Sequence, residues 1–342
     1  MALLEIKNLT LFIDAGDETV KALEKVNLTL NEGEIRALVG ESGSGKTLIV
    51  RAILGAIPDN WSIKADRITY QGKSLLDMSG EQRRQIMRRE IAVVFQEPAS
   101  ALDPSVKIKE QIKESIPDEF ITKAWPWKQN KQREELTVNL LHRVGIKNHK
   151  RYMECYPHEI PTDISQKIMI AMALASEPKI LIADDSTRGM ESATKTQILR
   201  LLLKFNETKK LAILFVSHDL LAITSMAHSM TVLYCGQTVE SGKVKSLLKR
   251  PLHPYTKALL DSAPSFQVSL PPKSKLVTLE GTIPTLQHLP TGCRLGPRCP
   301  NARKECVMVP VPRNIQDHLY SCHFPLHLPK NTKHKVYKEV KL

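Results

Sequence analysis

Eight consecutive residues constrain this chain more than any others: Gly40-Glu41-Ser42-Gly43-Ser44-Gly45-Lys46-Thr47. They follow the apolar run Ile35-Arg36-Ala37-Leu38-Val39 and lead into the apolar stretch from Leu48 to Leu54, so a strand, a glycine-rich turn and a helix stand in succession. The glycines let the turn curl until its N–H groups point at phosphate oxygens, Lys46 neutralises β/γ charge, and the Thr47 hydroxyl can hold Mg²⁺. An ordinary glycine-rich turn has no reason to close on Lys-Thr at a helix start. The motif predicts that the chain binds a nucleoside triphosphate.

The surrounding pattern predicts an α/β fold. Ile91–Phe95, Ile180–Ala183 and Leu211–Val216 are nearly continuous apolar runs, as strands are when helices cover both faces of a parallel sheet. Helical patterns separate them, which argues for a doubly wound sheet whose ligands bind beyond the carboxyl ends of the strands. The alternating segments Leu4–Leu9 and Val26–Leu30 read instead as half-buried antiparallel strands. The run Ile180–Ala183 delivers Asp184 and Asp185 to the sheet edge, where Asp184 suits the Mg²⁺ shell and Asp185 can orient an attacking water. Gln96 follows the strand ending at Phe95, and Ser217-His218-Asp219 follows the strand ending at Val216.

Composition shifts near residue 242. Of 342 residues, the last hundred carry 17 Lys and Arg against 5 Asp and Glu, 13 of the 21 prolines and four of the six cysteines. This places a domain boundary between 1–242 and 243–342. Cys293, Cys299, Cys306 and Cys322 lie within thirty positions. No apolar run is long enough to cross a bilayer and no secretory signal is visible at the N-terminus, so a cytosolic chain with reduced thiols is expected. In that compartment a fourfold cluster points to metal rather than disulfides, although four buried thiols could also serve as small hydrophobes. Spacing alone does not choose between zinc and an iron–sulfur cluster.

Taken together, these pieces resemble the ATP-binding subunits of ABC transporters. Val94-Phe95-Gln96-Glu97-Pro98, Tyr156-Pro157-His158-Glu159 and Val216-Ser217-His218-Asp219-Leu220 look like that family's Q-loop, signature approach and switch-histidine segments. His253-Pro254-Tyr255-Thr256 and Gly292-Cys293-Arg294-Leu295-Gly296-Pro297-Arg298-Cys299-Pro300 are similar to its oligopeptide/dipeptide branch. Leu233–Glu240 and Ala65-Asp66-Arg67 look most like subunits that handle cationic antimicrobial peptides.

The resemblance implies a P-loop ABC ATPase fold. It has a RecA-like parallel-sheet core, an antiparallel β subdomain, a helical subdomain at about 98–168 and a small Cys-rich C-terminal extension. It implies ATP bound by residues 40–47 with Gln96; Mg²⁺ held by Thr47, Gln96 and Asp184; and Asp185, His218, Gln96 and Lys46 as the catalytic set. It tips the four cysteines towards a 4Fe–4S cluster, with zinc as the alternative. Phe12 is the candidate for stacking on adenine, though a core role in its strand is an equal reading.

The implied partners are a second, non-identical ATPase subunit, two membrane-spanning permease subunits and, indirectly, an external peptide-binding protein, with the chain peripheral to the cytoplasmic face of the inner membrane. The basic end of the chain reads as a solvated charge run, and no nucleic acid is expected. Trp125 and Trp127 suit either a protein interface or a core.

Two positions depart from the family pattern. The signature Leu-Ser-Gly-Gly falls on Ile160-Pro161-Thr162-Asp163, which removes an N–H and sets an anion near a phosphate, although Pro and Asp are also ordinary at a helix start. The usual catalytic Glu is Asp185, one methylene shorter. Both predict slow hydrolysis at unequal sites. The rival readings are a regulatory nucleotide-binding subunit with little hydrolysis and, further off, a soluble ABC-type ATPase acting on nucleic acid.

Overall fold

The computed structural model describes residues 2–14, 16, 18–95, 101–186, 190–263, 279–328 and 335–336. Gln96 and residues 187–189 lie outside that set. The strands in chain order are β1 (Ala2–Asp14), β2 (Thr19–Asn31), β3 (Ile35–Val39), β4 (Trp61–Lys64), β5 (Arg67–Tyr70), β6 (Lys73–Ser74), β7 (Ile91–Val94), β8 (Ile180–Asp184), β9 (Ala212–Val216), β10 (Ser229–Tyr234), β11 (Gln237–Lys243), β12 (Arg313–Ile315), β13 (His318–Tyr320) and β14 (Lys335–Val336). The chain divides into two compact units, one of residues 1–31, 35–77 and 216–342, the other of residues 32–34 and 78–215.

In the first unit β1 pairs antiparallel with β2, β4 and β5. The alternation seen in the sequence buries Leu4, Ile6, Leu9 and Leu11 on one face, and register shifts between β1 and β2 mark bulges that bend the pair. β3 and β10 run parallel, and β10 turns back antiparallel into β11. The strands β13, β12 and β14 extend that sheet outward from β11. The C-terminal part therefore does not stand apart as a cysteine-rich subdomain: it adds strands to the sheet that carries β3. After β3 comes the helix α1 (Lys46–Leu54), which buries Ile49, Val50, Ala52 and Ile53 and stops at Gly55 in the left-handed conformation that a C-terminal glycine favours.

A buried carboxylate organises the C-terminal part. Glu240 on β11 is fully buried and accepts hydrogen bonds from the N–H groups of Leu252 (2.7 Å) and His253 (2.9 Å). His318 Nε2 on β13 lies 2.6 Å from its Oε1. A buried carboxylate without such partners would be costly, so these contacts tie β11, β13 and the start of the helix Pro254–Ser262 together. His253 caps that helix by accepting the Tyr255 N–H on Nδ1. Burial lowers its pKa to about 4, against the pull of the Glu240 carboxylate, so the ring is neutral at physiological pH.

In the second unit β7 and β8 are parallel, and every residue of β8 and β9 is buried. Helices Ile108–Ser115, Pro126–Arg143, His149–Met153 and Thr162–Leu174 pack on one another as a helical subdomain. Ile112, Leu141 and Ile168 are fully buried within it. Gln111 fixes the preceding loop through Asp103 and Val106, and Arg133 donates to the Lys113 and Ile116 carbonyls. No described helix is long and apolar enough to cross a membrane.

Candidate functional site

The phosphate loop joins β3 to α1, and two of its glycines, Gly40 and Gly45, are placed where a side chain would crowd its neighbours. A Cβ on Gly40 would lie 2.2 Å from the Leu233 carbonyl, and one on Gly45, at φ +103°, would lie 2.7 Å from Leu23. The loop is thereby pressed onto the β10–β11 turn, where the Gly236 N–H donates to the Ser44 carbonyl at 2.8 Å. Lys46 Nζ folds back on the loop and donates to the carbonyls of Gly40 (2.8 Å) and Glu41 (2.9 Å). Ser42, Gly43 and Thr47 are exposed, with Thr47 in the first turn of α1. This cradle of curled backbone, a helix N-terminus, one cation and one hydroxyl fits a triphosphate and its Mg²⁺.

Three structural residues not foreseen from the sequence hold the loop. The Glu41 N–H donates to the Tyr255 hydroxyl at 2.9 Å, and the Glu41 carboxylate accepts from Arg298 Nη1 at 3.1 Å. Arg294 donates to the Cys235 carbonyl and, through Nη2, to Glu24 Oε2 at 2.6 Å, bracing the β10–β11 turn. Their signal lay in the segments 253–256 and 292–300, which the family resemblance marked without giving them a role.

The remaining site residues sit at strand ends. Asp184 closes β8 and is buried; Asp185 comes next, half-buried, at φ +48°. That left-handed backbone suits Asp better than most residues, which gives a local reason for its presence here. Lys195, on the helix Ser192–Lys209, interacts electrostatically with Asp185. His218 is exposed after β9, while Asp219 caps the helix Leu220–Met226 by accepting from the Leu221 and Ala222 N–H groups. Phe12 is half-buried on β1, with Lys64 Nζ 5.5 Å from its ring centroid.

The segment aligned with the signature forms the start of the helix Thr162–Leu174. Pro161 stands at the N-cap with no side-chain cap, and Asp163 lies in the first turn. Pro161 and Thr162 are exposed, whereas Gln166 is buried and its Nε2 has no hydrogen-bond partner among the described residues.

The expectation of a metal on the C-terminal cysteines is corrected. Cys293, Cys299, Cys306 and Cys322 line one small cavity together with His253 and Phe324. Yet among the described residues no group of three or more His, Cys, Asp or Glu is arranged to hold a metal ion. Neither a 4Fe–4S cluster nor zinc is supported. Burial favours the thiol form here, pushing Cys293 and Cys299 up and Cys322 up to about 12. The two neighbouring arginines pair with Glu24 and Glu41, and Cys322 packs against the small core of Leu252, Ile315 and Tyr320. The cysteines act as small apolar residues in a segment with little other apolar material.

Comparisons with known proteins agree with this geometry. Residues 23–188 match the family described as "ABC transporter", and residues 239–306 match "Oligopeptide/dipeptide transporter, C-terminal region". The "Peptide transport system ATP-binding protein SapD" of Escherichia coli O6:H1 is 48% identical over 96% of this chain and 100% of its own length. The "Dipeptide transport ATP-binding protein DppD" of Escherichia coli K12 is 35% identical over 95% of this chain and 98% of its own. The dimeric bacterial ABC transporter cassette MJ0796 superposes with a TM-score of 0.62 at 25% identity, covering 70% of this chain and 98% of that one. A phosphate loop of this form, on this fold and with these relatives, means that the chain belongs to the ABC transporter family as an ATP-binding and ATP-hydrolysing subunit closely related to the SapD-type peptide-transport ATPases.

Proposed function

We propose that this subunit energises a membrane importer of peptides, cationic antimicrobial peptides among them. In this reading it works at the cytoplasmic face of the inner membrane beside a second, non-identical ATPase subunit and two membrane-spanning permeases, fed by an external peptide-binding protein. The relatives' names support the peptide class. The observation that carries the energetic part is an intact phosphate loop in the same chain as a signature helix that begins Pro161-Thr162-Asp163.

Residues 40–47 would hold the triphosphate, and Thr47, Gln96 and Asp184 would hold Mg²⁺, which when bound supplies charge neutralisation at the phosphates. Lys46 adds the fixed cation. Asp185 orients and accepts a proton from water, and His218 contacts the γ-phosphate side. Phe12 offers a ring face to the base. In a head-to-tail pair of ATPase subunits, the helix start at Pro161 faces the nucleotide bound by the partner subunit. There it lacks a donor and a serine hydroxyl, and Asp163 opposes the phosphate charge.

Lys46→Ala is expected to abolish tight ATP binding by this subunit and to stop peptide-dependent ATP turnover by the assembled transporter. Nucleotide titration of the purified subunit checks the first, and ATPase of the reconstituted complex with added peptide checks the second. Unchanged affinity removes the phosphate-loop assignment. Unchanged turnover with affinity lost favours the reading of this chain as a regulatory subunit.

A further inference from the structure

Glu41 is gripped twice by the C-terminal part of the chain. Its N–H donates to the hydroxyl of Tyr255, which is fully buried, and its carboxylate pairs with Arg298, whose side chain is only 8% exposed. The two grips are one assembly. The Tyr255 ring lies 4.7 Å from the Tyr234 ring, centroid to centroid, and Arg298 Nη1 is 3.3 Å from the Tyr234 hydroxyl with its guanidinium 5.8 Å from that ring's centroid. The Glu41 carbonyl in turn accepts from Lys46 Nζ. A short path of packed and hydrogen-bonded groups thus runs from the helix Pro254–Ser262 and the segment 293–299 to the lysine that meets the phosphates.

Both grips lie in the region that matches the C-terminal part of oligopeptide/dipeptide transporters. They do not touch nucleotide themselves. Tyr255 sits on a helix whose start is anchored by Glu240 and capped by His253, and Arg298 on a segment whose Cys293 N–H is bonded to the Cys306 carbonyl at 2.9 Å. Each therefore presents its polar group from a fixed base, as a support must if it is to set the position of another group.

We propose that Tyr255 and Arg298 are positioning residues that hold Glu41, and through it Lys46, where the triphosphate binds, so that the C-terminal part of the chain sets the ATP affinity of its own phosphate loop. The inference rests on the ATP-binding reading of residues 40–47.

The test is MgATP titration of the full chain carrying Tyr255→Phe, Arg298→Gln, Arg298→Lys or Tyr255→Phe with Arg298→Gln, beside the wild type and Lys46→Ala, with unfolding temperature measured on each. Tyr255→Phe keeps the ring and its packing and removes only the acceptor; Arg298→Lys keeps the charge. Loss of one such hydrogen bond predicts a rise in Kd of about three- to tenfold for Tyr255→Phe and for Arg298→Gln. Arg298→Lys should recover part of it, and the double variant should fall short of the product of the two, because both act on Glu41. Wild-type Kd in the single variants overturns the proposal, whether or not the unfolding temperature drops, since a purely structural role lowers stability without changing the affinity of the folded chain. A wild type that does not bind MgATP, or a Lys46→Ala chain that binds it normally, overturns the ATP-site reading and this proposal together.

Discussion

At Asp185 a single methylene separates this chain from the carboxylate length usual in its family. The residue comes directly after Asp184 at the end of β8 in a left-handed backbone conformation, with Lys195 as an electrostatic neighbour. A displacement of about 1 Å in a catalytic group can cost about a hundredfold in rate. Asp185→Glu should therefore raise single-turnover hydrolysis at the site built on Lys46, by about tenfold or more, while Asp185→Asn should lower what remains. Rapid-quench measurement in the assembled complex reads both. A rate indifferent to Asp185→Asn means that this carboxylate does not position water. The phosphate loop and the position of the two aspartates at the end of β8 were legible in the sequence because both patterns are local: glycines, a lysine and a hydroxyl in eight residues, and carboxylates at the end of an apolar run. Tyr255 and Arg298 were not, because the bonds that give them a role reach Glu41 across 214 and 257 residues of chain.

Two helix starts, those of Thr162–Leu174 and Pro254–Ser262, bear on the proposed activity and on stability respectively. The helix Thr162–Leu174 begins at an exposed Pro161, so substitutions there alter a surface rather than a core. Pro161→Ser, Thr162→Gly and Asp163→Gly together should raise turnover at the site built on the partner's phosphate loop, since they return a donor and a hydroxyl and remove an anion. ATPase of the mixed complex, with Lys46→Ala in this chain to silence its own loop, isolates that site; no gain there removes the signature argument. The second element is the helix Pro254–Ser262, whose cap His253 is held neutral by burial. Its pKa is lowered from 6.5 to about 4, so the unfolded chain binds the proton more readily than the folded one. The resulting stability is complete above about pH 6.5 and is lost as pH falls towards 4, a change on the order of 3 kcal/mol. Urea unfolding at pH 7 and pH 5 should show that fall, and His253→Asn should flatten it. An equal slope in the variant assigns the acid sensitivity elsewhere. The cysteine cluster belongs to this scale too. Its clustering pointed to a metal, but closeness in sequence does not state how four side chains are arranged in space, and among the described residues they form no group that could hold a metal ion.

At the scale of the whole molecule, strand patterning anticipated the antiparallel β1–β2 pair and the buried strands β8 and β9, because burial on one face or two writes itself into hydrophobic periodicity, whereas β7 is buried only at Ile91 and Val94 and Phe95 beyond it is exposed. The way β12 and β13 extend the sheet beyond β11 left no such trace, since these strands are three residues long. For a pair of ATPase subunits, the proposed reading is that the altered signature and the short carboxylate together would make the two ATP sites unequal. A pair made of two copies would combine both departures at each site, while pairing with a non-identical subunit whose own signature and base are intact would give each site one intact component. The measurement that tests this most directly is the steady-state ATPase rate of the purified chain alone against the same chain mixed with its partner ATPase in the assembled transporter. The account predicts a rate at least tenfold lower for the chain alone, with the mixed complex losing activity when Lys46 is replaced by Ala. A chain that hydrolyses ATP alone as fast as the mixed complex would contradict it.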